Sequence, residues 1–138
     1  MTAFESTILP ADRTAIAPDG SDVRVLLGFP SGSMAHFELA AGCVSKAVTH
    51  RTVSEVWYVL SGRGQMWRKQ HAGVASGLQE QIVTLVAGVC LTIPRGTYFQ
   101  FCAAPEQALC VLGVTMPAWP GEDEAQFVAG PWTPSARS

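Results

Sequence analysis

His50 and Glu55 stand five residues apart, just before the apolar run of residues 56–60, and they are candidates for acid–base chemistry. A histidine and a carboxyl held together offer a proton donor and a proton acceptor, and burial moves their pKa values toward those that acid–base catalysis needs. The same two residues would serve equally as a hydrogen-bonded structural pair, and the spacing leaves both readings open. Side chains of an extended strand alternate between its faces. Trp57 and Val59 therefore follow Glu55 onto one face, while Val56, Tyr58 and Leu60 take the other. Phe99 and Phe101 share a face in the same way. Val48, Trp57, Phe99 and Phe101 are thus candidates to line one apolar cavity around the pair, or else to fill a barrel core as small barrels require. His36 and His71 have no natural place beside them by spacing. The cysteines (Cys43, Cys90, Cys102 and Cys110) form no C-x-x-C pair and have no spaced histidine or cation, so they read as packing thiols, reduced and mostly buried.

The elements that must position these groups are short. Thirteen glycines and nine prolines cut the chain into brief apolar runs and leave little room for long helices. Strands are expected over residues 23–27, 34–39, 45–49, 55–60, 65–69, 82–86, 89–93, 98–102 and 107–115, several of them rich in Val, Ile, Thr and aromatics. Close spacing of so many strands indicates a sandwich or barrel. Residues 70–81 read as a small polar loop. Residues 1–21 and 117–138 read as irregular arms wrapped on the barrel. Trp119, Phe127 and Trp132 in the second arm need cover from the barrel or from a second subunit, and the acidic run Glu122-Asp123-Glu124 reads as a solvated turn.

At 138 residues the chain is the size of one domain, and 48% apolar against 14% charged residues is enough to build a core. A net charge of −2 with scattered Lys and Arg sets nucleic acid and anionic membranes aside as partners. The longest uncharged apolar stretch, residues 82–93, contains Gly88 and falls short of the ~20 residues a membrane helix needs. Residues 1–10 lack the pattern of a secretory signal, so the expectation is a cytoplasmic protein.

Two segments carry a recognisable spacing. In the first, Gly42, His50, Glu55 and Gly62 stand in order, and in the second, some 25 residues on, Gly88, Pro94 and Gly96. These resemble the two motifs of the cupin superfamily, and the chain is similar to its small single-domain, cupin 2-like members. The resemblance covers about 60 of the 138 residues. It implies an all-β fold, a double-stranded β-helix (jelly-roll) barrel. The glycines suit strand reversals that demand positive φ, and Pro94 with Gly96 suits a rigid corner. Most cupins of this pattern hold a metal with three histidines and a glutamate. Here His50 matches the second histidine and Glu55 the glutamate, but Val48 stands at the first histidine position and Phe99 at the last. Two protein ligands rarely hold a divalent ion, so no cofactor is expected; a divalent metal would need unrecognised ligands.

The resemblance therefore implies a small-molecule-binding cupin. One expectation is a metal-independent enzyme of the isomerase, cyclase or lyase kind, acting on a partly apolar organic substrate. His50 would then be its acid or base and Glu55 its partner, with Val48, Trp57, Phe99 and Phe101 as ligand-binding residues. The alternatives are a metal-dependent cupin oxygenase using His50, Glu55 and further ligands, and a non-catalytic binding or sensing module. A homodimer is the expected assembly. Arg51, Arg63, Arg68 and Arg95 are candidates to rim the mouth, although the scarcity of cations in the motif strands argues against a highly anionic ligand.

Overall fold

The computed structural model describes residues 2–71 and 79–135. Among these residues, eleven strands pair antiparallel in two sheets: β1 (Ala15–Ile16), β2 (Asp22–Phe29), β3 (Gly32–Leu39), β4 (Val48–His50), β5 (Ser54–Ser61), β6 (Gly64–Lys69), β7 (Glu80–Leu85), β8 (Cys90–Ile93), β9 (Tyr98–Ala103), β10 (Leu109–Met116) and β11 (Ala125–Phe127). One sheet runs β1-β2-β3-β10-β5-β8 and the other β11-β4-β9-β6-β7. This is the all-β jelly roll that the resemblance implies. Each of the expected strands has its counterpart. Regular pairing in the stretch 45–49 begins only at Val48, because Ser45 instead exchanges hydrogen bonds with Phe101 through its backbone and hydroxyl. Of the loop expected over 70–81, Glu80 and Gln81 already belong to β7, and residues 72–78 lie outside the described residues.

The core forms where the inward faces meet. Trp57 and Val59 of β5, Met66 of β6, Phe99 and Phe101 of β9 and Val111 of β10 are each almost fully buried. Burial of each such side chain contributes about 1.5–3 kcal/mol. Gly62 has φ of +83°, and a Cβ there would run into the Ala108 carbonyl, so both the turn conformation and the close approach call for glycine.

Both arms contribute regular structure. The first supplies β1, which pairs with β2, and its Pro10 and Ala11 carbonyls accept hydrogen bonds from the Arg24 guanidinium. The second supplies a 3-10 turn (Glu122–Glu124) and then β11, which pairs with β4. Beyond β11 it lies across the outer face of the second sheet. There the buried Gln100 amide donates to the Trp132 carbonyl, and the Trp132 N–H donates back to the Gln100 side chain. Trp132 is thereby half-buried, whereas Phe127 stays exposed with the Lys46 ammonium over its ring. The cysteines are free thiols; Cys90, on edge strand β8, is exposed rather than buried, and the other three are half-buried. Among the described residues no helix is long and apolar enough to cross a membrane.

Candidate active site

A cavity of about 410 Å³ opens between the two sheets at the end where β1 and the second arm meet. Val48, His50, Glu55, Trp57 and Phe99 all line it. Four of the six residues picked from the sequence as site candidates thus share the cavity by alternation on β5 and by pairing of Val48 with Phe99, and His50 joins them at the end of β4. Phe101 does not line it: its ring meets Trp57 edge-on with centroids 4.9 Å apart, on the core side of that indole. Phe101 faces inward like Phe99, as expected, but sits two residues deeper along β9, so it supports the cavity wall instead of forming it.

Glu55 is 3% exposed and accepts a hydrogen bond from the Trp57 indole N–H through Oε1. Its other oxygen lies 3.6 Å from His50 Nδ1. That separation is within ion-pair range, but His50 is 8% exposed and burial holds its pKa down to about 4, with Glu124 pulling weakly the other way. The imidazole is therefore neutral near pH 7, and the contact is not an ion pair. At 3.6 Å it is also too long for a hydrogen bond, and Nδ1 has no partner among the described residues. Burial pushes the Glu55 carboxyl up to about 7; the Trp57 bond opposes this and the nearby Asp19 carboxyl adds to it. Near neutrality the pair is thus a neutral imidazole facing a carboxyl poised between its two protonation states.

The groups that hold this pair in place come from far along the chain. Gly113 of β10 lies under Glu55, and a Cβ there would sit 2.6 Å from the Phe37 ring and 3.0 Å from Glu55 Oε1. Only glycine leaves room for the carboxyl and the Phe37 ring together. The acidic run of the second arm is not a solvated turn throughout, because Glu124 is 4% exposed. Its carboxylate accepts hydrogen bonds from the Thr52 N–H (2.6 Å), the Thr52 hydroxyl (2.5 Å) and the Val53 N–H (3.0 Å). Burial tends to raise the Glu124 pKa, but these bonds outweigh it and hold the group below the usual carboxylate range. Glu124 thereby ties down the loop between β4 and β5 that sets the spacing of His50 and Glu55.

Both arms complete the lining, with Asp19 among the residues of the first and Trp119 and Glu122 among those of the second. The Trp119 ring meets His50 edge-on at 5.0 Å, and Phe99 does the same at 5.2 Å. Asp19 is buried and accepts from the Ser21 N–H (2.9 Å) and hydroxyl (2.7 Å); burial nonetheless raises its pKa. None of Arg51, Arg63, Arg68 and Arg95 lines the cavity, and neither does any other Arg or Lys among the described residues. Arg68 is engaged elsewhere, donating to the Thr92 carbonyl and the Gln81 side chain.

The donor set does not suit the metal that cupins of this pattern hold. Val48 and Phe99 put hydrocarbon into the cavity where ligands would stand, and His50 with Glu55 supplies two donors where at least three are needed. No cluster of three or more His, Cys, Asp or Glu with metal-binding geometry occurs among the described residues. His36 is buried on β3 but does not line the cavity, and the His71 ring lies against Tyr98, so neither completes a site.

No protein-family profile and no curated protein matches the chain. Solved structures do. A Streptomyces PAC13 variant with uridine is 20% identical, over 93% of this chain and 92% of that one, with a TM-score of 0.67. Pac13 itself is described as a nucleoside dehydratase. KdgF from Halomonas sp. is 15% identical over 84% of this chain and 97% of that one, with a TM-score of 0.66. The cupin domain of Schizosaccharomyces pombe Cnp3 is 15% identical over 70% and 61%, with a TM-score of 0.58. At such identities the likeness speaks to the fold, and the two sheets, the motif glycines and these neighbours agree: the chain has the fold of a small single-domain cupin.

Proposed function

We propose that this cupin binds a partly apolar organic molecule in the cavity and moves a proton on it, with Glu55 as the group that gains or loses the proton. The observation that carries the reading is the buried Glu55 carboxyl with its pKa pushed up to about 7, facing a neutral imidazole in a cavity lined mostly by apolar side chains. A general acid or base is most effective with a pKa near the working pH, and Glu55 meets that condition better than His50, whose pKa of about 4 makes it a weak base. The roles first suggested by the sequence are therefore exchanged. Glu55 transfers the proton, and His50 offers its unpartnered Nδ1 to orient a polar group of the substrate.

The reactions such a pair supports are redox-neutral: isomerisation, cyclisation or elimination, in which a proton leaves one atom and another accepts it. That a fold neighbour is a nucleoside dehydratase supports an elimination on this scaffold. An oxygenase reading gains no support, because the donor set falls short of a metal site.

The test uses exchange, which needs no knowledge of the product. Candidate small molecules are incubated with the protein in D2O and followed by mass spectrometry. Deuterium incorporation or product formation by the wild type that is lost in Glu55→Gln, with binding retained, is the expected result. Binding without exchange in the wild type would make the protein a binding module and overturn the catalytic reading.

A further inference from the structure

The charge pattern of the cavity is one-sided. Asp19, Glu55 and Glu122 line it, and no Lys or Arg among the described residues does. Four aromatic residues, Phe37, Trp57, Phe99 and Trp119, stand around the same space. Phe37 stacks on Trp57 at 5.9 Å and 20°, while Phe99 meets Trp57 edge-on at 6.4 Å and 81°. Rings at these different angles line one space with both faces and edges.

Two of the carboxyls are buried and form no ion pair with a Lys or Arg among the described residues. Glu55 has the Trp57 N–H as its hydrogen-bond partner, and Asp19 has Ser21. The Lys46 ammonium, the cation that acts on Asp19 from a distance, sits over the Phe127 ring outside the lining. Buried carboxylates are ordinarily paired or hydrogen-bonded to saturation, because an uncompensated buried charge is costly. Within the lining, a positive charge is thus the complement that the described residues do not supply. Aromatic rings attract the same charge through their quadrupoles, Trp most strongly, and more so where water is excluded. His50, 8% exposed, lines the same space with an Nδ1 that has no partner among the described residues, so a polar group of a ligand has a place to go.

We infer that the ligand of this cavity is an organic cation, a protonated amine or quaternary ammonium on an apolar or aromatic body, held between Glu55, Asp19 and the rings of Trp57 and Trp119. A volume of about 410 Å³ suits a body of one or two rings and excludes a large polymer. Phosphorylated and carboxylated molecules are disfavoured, since each would bring a second negative charge beside carboxyls that already repel one another. The inference rests on the proposal that the cavity is the ligand site and names the class of molecule it takes.

The test compares three aromatic probes that differ mainly in charge: benzylammonium, benzyl alcohol and benzoate. Affinities are measured by calorimetry at pH 8, where most of Glu55 is ionised. Benzylammonium is expected to bind at least tenfold more tightly than benzyl alcohol, with benzoate weaker still. Its binding should also release protons between pH 6 and 8, seen as a dependence of the heat on the buffer's own ionisation enthalpy, because a cation beside Glu55 favours the ionised form. The preference should fall severalfold in Glu55→Gln and in Asp19→Asn. Should Asp19→Asn fail to fold, Trp119→Leu, which removes a ring and leaves the carboxyls, should weaken benzylammonium more than benzyl alcohol. Benzyl alcohol or benzoate binding as tightly as benzylammonium would overturn the inference while leaving the cavity as a ligand site. Absence of binding by all three would overturn that reading and the inference with it.

Discussion

Glu55→Gln should make the protein more stable in alkaline solution while removing its chemistry. The carboxyl titrates near its ordinary value of 4.5 in the unfolded chain and at about 7 in the folded protein. A group whose folded pKa is raised contributes stability that is fully present below the unfolded value and is lost as pH rises through the folded one. At about 1.4 kcal/mol per pH unit, the ionised folded state is penalised by about 3 kcal/mol above pH 8, by about 1 kcal/mol at pH 5 and by almost nothing below pH 4. Glutamine has nearly the same shape, can still accept from the Trp57 N–H and never ionises. The variant should therefore exceed the wild type by roughly 2–3 kcal/mol at pH 8.5, or ~5–10 °C in Tm for a domain of this size, with the gap shrinking by about 2 kcal/mol at pH 5. Urea unfolding followed by tryptophan fluorescence at the two pH values reads this directly. A gap of equal size at both pH values, or a variant less stable at pH 8.5, would refute the claim that Glu55 carries an uncompensated buried charge.

Other perturbations probe the parts around it. His50→Gln should expose the opposite limb: the imidazole titrates at 6.5 unfolded and at about 4 folded, so it contributes stability present above pH 6.5 and lost as pH falls through 4. The variant should lose acid sensitivity over that window in the same urea assay. Glu124→Gln should cost about 1.5–3 kcal/mol at pH 7, because its three hydrogen bonds to the β4–β5 loop lose their charge; the deficit should vanish as pH falls below the carboxylate range. Gly113→Ala should cost about 1–3 kcal/mol by driving a methyl into the Phe37 ring and Glu55, and it should weaken binding of any cavity ligand as measured by calorimetry. Val48→His with Phe99→His should create a four-donor site with His50 and Glu55, giving near-stoichiometric divalent metal by elemental analysis where either single change gives less.

Much of the fold was legible because strands and turns are local. Short runs rich in β-branched and aromatic residues lie between glycines, and Gly42, Gly62, Gly88 and Gly96 all adopt the positive φ that strand reversals require. The His50–Glu55 pair was legible too, since alternation and motif spacing place both inward. What stayed hidden depends on chain pairing over long distances. Glu124 reaches a loop 72 residues away, and in an acidic run it resembles any solvated turn. Asp19 and Trp119 enter the cavity from arms whose course no periodicity describes. Gly113 looks like a flaw in an apolar strand until the Phe37 ring that reaches it from the neighbouring strand is known. Phe101 shows the limit of alternation: the pattern gives the face a side chain takes, while its depth along the barrel decides whether it meets ligand or core. The protonation states of the pair follow from burial, which sequence spacing does not express.

The proposed chemistry depends on the charge state of two side chains, and carbon-detected NMR titration of the Glu55 carboxyl with proton-detected titration of the His50 ring measures both. Glu55 changing near pH 7 while His50 stays neutral until about pH 4 is the predicted result. A Glu55 carboxyl that ionises near 4.5 beside an imidazole still protonated at pH 7 would mean an ordinary buried ion pair, and the acid–base proposal would be wrong.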